Sequence, residues 1–282
     1  MEKIALITDS TCGLSQDLIQ QYNVQILRLK IIYKDKSYID GIDITPEEVY
    51  AKLEQELPTT SMPSYQDACD LFENLIDEGY THAIALPISS GLSGTINSLL
   101  LAAEQYADKL KTFVFDTKIL SMAVGLSVIE IGKMIKAGES FDYICKEIPK
   151  LREKTSMYFV VDTLEYLIKG GRIGKVSGAL GQILNLKPIL SIDNNDGKYI
   201  THSKVRGSKQ SLKELVKIGT EILNRSKGKV VIMTGTMYEE LETLKKIFNE
   251  HKNTTFLYTG TLTPVVGVHS GPRLLGFAIL EE

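Results

Sequence analysis

Along the first half of the chain, short apolar runs end in hydroxyl-rich loops, and each loop is followed by a stretch of helical periodicity. Residues 4–8 lead into Asp9-Ser10-Thr11 and an amphipathic stretch over 15–22. Residues 83–87 lead into the segment 89–95 and a helical pattern to about 106. Residues 112–116 lead into a long apolar helix over 121–136. Continuous apolar strands alternating with helices predict a parallel sheet covered on both faces. Between the first two units, residues 24–39 alternate polar and apolar positions. A helix then starts at Thr45-Pro46-Glu47-Glu48, so this region reads as a small strand-rich insertion plus a helix. Residues 58–64 read as an irregular loop and 65–78 as a helix.

After a helix near 141–154 the pattern changes. Strands are expected at 158–161, 189–192, 199–204, 230–235 and 255–259, with helices near 208–225 and 238–251. Asn194-Asn195-Asp196-Gly197 lies between two of these strands as a hairpin turn. The expected fold class is therefore α/β in two domains, an N-terminal α/β/α layer structure and a C-terminal α/β domain with a mixed sheet. The boundary is placed near residue 160 by the change of pattern.

Composition narrows the function classes. The 282 residues carry a formal net charge of −3 and no Trp. They supply no overall basic field for a phosphate backbone, which argues against nucleic acid as a partner. The first ten residues turn polar after a run too brief for a signal-peptide core or a membrane span, so a cytoplasmic location is expected. Cys12, Cys69 and Cys145 are widely spaced, and His82, His202, His251 and His269 have no ligand spacing. Neither a disulfide framework nor a metal site is indicated.

Loops at the carboxyl ends of parallel strands converge on one edge of a sheet, where ligands bind. The Ser89-Ser90-Gly91-Leu92-Ser93-Gly94-Thr95 loop opens a helix, and its hydroxyls and free amides suit a carboxylate or a phosphate. Helix capping accounts for the same residues equally well. The segment from Gly91 to Thr95 is one glycine short of a nucleophile elbow. Ser93, Asp116 or Asp162, and His269 follow the chain order of an α/β-hydrolase triad, which keeps a serine hydrolase open. Lys169-Gly170-Gly171-Arg172-Ile173-Gly174-Lys175 fails as a P-loop because Lys169 and Val176 stand where Gly and Ser or Thr are needed. It leaves Arg172 flanked by glycines, placed either to meet a carboxylate or to sit in a solvated turn.

These segments, together with Thr60-Ser61-Met62-Pro63-Ser64, Phe115-Asp116-Thr117, Thr163-Leu164-Glu165-Tyr166-Leu167, Leu186-Lys187-Pro188-Ile189, Lys204-Val205-Arg206-Gly207 and His269-Ser270-Gly271-Pro272, resemble in order the DegV family of bacterial fatty-acid-binding proteins. The resemblance implies a two-domain α/β protein; with the boundary taken from the change of pattern, the domains run over 1–160, with a small strand-rich insertion near 24–57, and 161–282. One long acyl chain, such as that of palmitate, stearate or oleate, would be buried between them, with no other cofactor. By motif, Thr60, Ser61, Ser93 and the Gly94 amide would contact the carboxylate, and Arg172 and His269 would complete the polar network. Arg206 matches a position that docks a kinase. In family members of known role, a separate ATP-binding fatty acid kinase subunit phosphorylates the bound acid, and the acyl phosphate feeds phospholipid synthesis.

That role makes the protein a carrier and not an enzyme, and it is compatible with transient contact with a membrane surface. A regulatory lipid-binding protein is the further alternative. Two departures stand out: His-Ser-Gly-Pro is followed by Arg273 where the family more often has glycine, and Phe115-Asp116-Thr117 replaces the commoner Asp-Ser. The apolar supply for an acyl chain lies in residues 119–135, 179–190 and 262–268, where core packing competes for the same side chains.

Overall fold

The computed structural model describes residues 2–179 and 186–282. The first half runs β1 (Ile4–Asp9), a 3-10 turn (Ser10–Cys12), α1 (Gln16–Tyr22), β2 (Val24–Leu27), β3 (Lys30–Ile32), β4 (Ser37–Ile39), α2 (Pro46–Lys52), β5 (Thr59–Ser61) and α3 (Tyr65–Asp77). It continues through β6 (His82–Leu86), α4 (Thr95–Gln105), β7 (Lys111–Val114), α5 (Met122–Lys136) and α6 (Phe141–Glu153). The second half runs β8 (Thr155–Val161), α7 (Glu165–Lys169), β9 (Leu186–Ile192), β10 (Tyr199–Arg206), α8 (Ser208–Arg225), β11 (Gly228–Thr234), α9 (Tyr238–Glu250), β12 (Thr254–Thr261), α10 (Pro264–Ser270) and β13 (Leu274–Glu281).

Three sheets result. One is four-stranded and all parallel, in the order β2-β1-β6-β7. The second is six-stranded and mixed, in the order β10-β9-β8-β13-β11-β12, with only β11 and β12 parallel to each other. The third is a small antiparallel sheet in the order β4-β3-β5. The fold is therefore α/β with a parallel and a mixed sheet.

Period-two burial explains the layering. In β1, Ala5 and Ile7 pack with Phe72 of α3 and Leu99 of α4, while Leu6 faces the opposite way. In β13, Leu275, Phe277 and Ile279 pack outward under α8 and α9, and Leu274, Ala278 and Leu280 face inward. Helix α5 lies between the two large sheets and contacts β1 on one side and β8, β11 and β13 on the other. Ten of its fifteen residues are buried. A helix covered on both sides needs an apolar surface nearly all round, which is why its sequence shows no clean polar stripe. Each large aliphatic side chain buried there contributes about 1.5–3 kcal/mol.

Four elements differ from the sequence reading. Val24–Leu27, expected inside the insertion, joins the main sheet alongside β1, with Val24 and Leu27 buried. Thr59–Ser61, expected as loop, pairs with Lys30–Ile32 and supplies the third strand of the small sheet. Three residues between Pro58 and Pro63 are too short a window for periodicity to reveal a strand. The terminal α10 and β13 went unread. Pro264–Ser270 holds a glycine and three valines, poor helix formers, yet six of its seven residues are buried, so packing overrides propensity.

Candidate functional site

The parallel sheet reverses its strand order between β1 and β6, and the loops leaving these two strands form its ligand edge. Asp9, fully buried, ties them together. Its carboxylate accepts hydrogen bonds from the Ile88 amide at 2.6 Å, the Thr11 amide at 3.0 Å and the Thr11 hydroxyl at 2.6 Å. Burial raises its pKa, and these three bonds oppose that rise.

Beside this edge a cavity of about 360 Å³ lies between the loops, the start of α5, the inner face of the six-stranded sheet and α10. Thr60, Ser61, Ser93, Gly94, Arg172 and His269 all line it, and each is half-buried. Arg206, by contrast, is exposed at the end of β10 and is not part of the wall.

Capping and site roles separate cleanly within the two hydroxyl-rich motifs. Ser64 caps α3 in a reciprocal box with Asp67. Ser90 bonds Asp116, and Ser98 of α4 holds the Pro63 carbonyl at 2.8 Å, which fastens the segment 60–64 to α4. Ser93 and Gly94 face the cavity at the start of α4, whose N-cap residue, Gly94, carries no side-chain cap. The Ser93 hydroxyl meets that of Thr95 at 2.9 Å.

His269, at the end of α10, places Nε2 2.7 Å from the Thr60 hydroxyl. Its Nδ1 is buried without a partner among the described residues. Burial first, and the Arg172 guanidinium second, push its pKa down to about 4, so the ring is neutral at pH 7. Arg172 donates to the carbonyls of Gly170 at 2.7 Å and Leu92 at 3.4 Å. Among the described residues it is the one formally charged side chain in the wall, and it brings a positive charge to the polar end.

The remaining wall is mainly apolar, with Leu29, Leu92, Phe159, Val231, Met233 and Val266 among its members; Thr11, Ser121 and Ser270 add hydroxyls. Two small residues of β13, Gly276 and Ala278, line the cavity from the six-stranded sheet. A Cβ at Gly276 would stand 2.6 Å from that of Phe159, so glycine is needed there. Of the three expected apolar segments, 119–135 and 262–268 contribute through Leu120, Met122, Leu262 and Val265. Half of 179–190, residues 180–185, lies outside the described residues. Tyr199, buried and edge-on to Phe159 at 5.2 Å, is a wall residue that the sequence did not single out. A tyrosine opening a strand carries no distinguishing signal.

A hydrolase triad is not assembled among the described residues. Ser93 bonds Thr95 and His269 bonds Thr60. Asp116 serves Ser90 and Lys118, and Asp162 pairs with Lys187 at 2.7 Å. No carboxylate orients the His269 ring. Clusters of three or more metal-ligating side chains are also lacking among the described residues, and no helix there is long and apolar enough to cross a membrane.

Comparison with known proteins gives this arrangement a context. The profile of a family described as "Uncharacterised protein, DegV family" matches residues 3–282. A DegV domain-containing protein of Clostridium acetobutylicum is 49% identical over 282 residues, covering 100% of both chains. One from Clostridium perfringens is 43% identical with the same coverage. Among solved structures, a fatty-acid-binding DegV family protein from Thermus thermophilus superposes with a TM-score of 0.93 at 30% identity, over 99% of this chain and 100% of that one. A fatty-acid-binding DegV family protein from Streptococcus agalactiae gives 0.91 at 32%, over 100% of each chain. A stearic-acid-binding protein from Eubacterium ventriosum gives 0.88 at 26%, over 100% of this chain and 98% of that one. By sequence along its whole length and by fold, the chain belongs to the DegV family.

Proposed function

We propose that the protein binds one long-chain fatty acid in this cavity and presents its carboxylate to a fatty acid kinase subunit. The observation that carries the reading is the make-up of the wall: mainly apolar, with the Arg172 guanidinium, the neutral His269 imidazole and the hydroxyls of Thr60, Ser61 and Ser93 among its polar groups. A single positive charge among neutral donors suits a monoanion, and the apolar length suits a hydrocarbon. The acid-binding relatives of the same fold support it.

In this reading Thr60, Ser61, Ser93 and the Gly94 amide donate to the carboxylate, Arg172 neutralises it, and His269 orients Thr60. The acyl chain runs between residues of the N-terminal unit, taken as 1–160, and those of the C-terminal unit, 161–282. Burying about fourteen methylenes at about 0.8 kcal/mol each yields on the order of 10 kcal/mol before the cost of association. That is enough for a ligand to survive purification. Arg206, outside the cavity and exposed, is left free to meet the kinase.

Native mass spectrometry of the purified protein tests the proposal. A non-covalent long-chain fatty acid is expected. A protein carrying none, together with covalent labelling of Ser93 by a fluorophosphonate, would overturn it in favour of the hydrolase.

A further inference from the structure

The loop that carries Ser93 is held from outside its own half of the molecule. Ser89, fully buried, is its hub. Its carbonyl accepts the amides of Leu92 and Ser93, both at 3.0 Å, and so sets the turn that presents Ser93. Its hydroxyl accepts from the Gly91 amide at 3.1 Å and donates to the Gly197 carbonyl at 2.8 Å. Gly197 belongs to the hairpin turn between β9 and β10, on the six-stranded sheet.

Four further contacts fasten that turn. Lys118 donates to the Asn195 carbonyl at 2.5 Å, and Arg152 to the Asn194 side chain at 2.7 Å. Lys175 pairs with Asp193 at 2.5 Å and with Asp196 at 3.0 Å. Backbone meets backbone where the turn touches the loop. A Cβ at Gly91 would run into the Asp196 carbonyl, and one at Gly197, whose φ is +67°, would run into the Ser89 hydroxyl. Two glycines from opposite halves are required at one contact, which marks a built surface and not an incidental touch.

We infer that the hairpin turn at residues 193–197 is a positioning element for the carboxylate site, acting through Ser89 on the Ser93 loop. A loop of glycines and serines has little stiffness of its own. Preorganised donors bind a charge better than donors that must be ordered when it arrives. The turn supplies that order from the second half of the molecule, so the carboxylate donors assemble only when the two halves are together. This rests on the acid-binding reading above.

The test compares hexadecanoate with hexadecan-1-ol, which shares the chain but lacks the carboxylate, in the full-length protein and its Ser89→Ala and Lys118→Ala variants. The expected result is a roughly tenfold loss of affinity for the acid in Ser89→Ala, with the alcohol unchanged, and a smaller loss of the same kind in Lys118→Ala. Should Ser89→Ala fail to fold, Lys118→Ala, altered at a half-buried surface side chain, carries the same comparison. Equal losses for both ligands would show general loosening and overturn the inference, as would unchanged affinity for both. Failure of the unaltered protein to bind hexadecanoate would instead overturn the acid-binding reading itself.

Discussion

The imidazole of His269 and the hydroxyl of Thr60 meet at 2.7 Å although 209 residues of chain separate them. One lies near the end of α10, which joins β12 to β13 and packs against α2, α7 and the small antiparallel sheet, and the other sits on that small sheet. The pair lies at the polar end of the cavity and commits the neutral ring to the Thr60 hydroxyl and not to Ser93.

Ser93→Ala is expected to weaken acid binding by about 1–3 kcal/mol, the usual consequence of leaving a charged group one donor short. Isothermal titration with a long-chain acid measures this. Affinity equal to that of the unaltered protein would remove Ser93 from the carboxylate site.

Ala278 is buried and faces the cavity from β13, opposite Met157. Ala278→Leu should fill part of the hydrocarbon space. Displacing about three methylenes at about 0.8 kcal/mol each would cost long acids on the order of 2 kcal/mol and shift preference toward shorter ones. A competition series across chain lengths would show it; an unaltered preference would place the acyl chain elsewhere.

Two buried groups pull stability in opposite directions between about pH 4 and 6.5. His269 titrates near 4 when folded and near 6.5 when unfolded, so its contribution is present above 6.5 and lost as pH falls toward 4. Asp40, which caps Val265 of α10 at 2.9 Å, is raised by burial to about 6 from 3.8. Its contribution is present below 3.8 and lost as pH rises through 6. Each effect is on the order of 3 kcal/mol, so they nearly cancel. Removing either group should tilt the pH profile of denaturant midpoints, relative to the unaltered protein, in opposite directions. Asp40→Asn should make stability rise with pH, and His269→Gln should make it fall. Parallel profiles for the two variants would contradict the assignment.

Arg206→Ala is expected to leave acid binding near normal while weakening support of acyl-phosphate formation by a fatty acid kinase subunit supplied with ATP and oleate. Loss of acid binding in this variant would move Arg206 into the pocket, at odds with its exposed place at the end of β10.

What the sequence disclosed follows what local physics encodes. The strand, loop and helix units after β1 and β6 were legible because continuous apolar runs and capping residues are local signals. The hairpin turn was legible from Asn-Asp-Gly chemistry. Ser93 and Thr60 could be named but not told from caps, since a hydroxyl serves either purpose and the choice depends on tertiary neighbours. In the structure Ser64 caps a helix, while Ser61, three residues earlier, lines a cavity. Strand β5 and helix α10 escaped because neither pattern nor propensity supports them alone. The inward hollow beside β13 escaped because Gly276 and Ala278 read as ordinary small residues until their neighbours are known.

That hollow has a consequence for the life of the protein in the cell. On the acid-binding reading, the small Ala278 leaves wall space for the acyl chain, and the cargo would act as a removable piece of the core. Cargo at a hundred times its dissociation constant adds about 2.7 kcal/mol to the unfolding free energy. A difference of that size changes how often a chain opens to proteases. Supply of the acid would then set how long each molecule survives as well as what it carries.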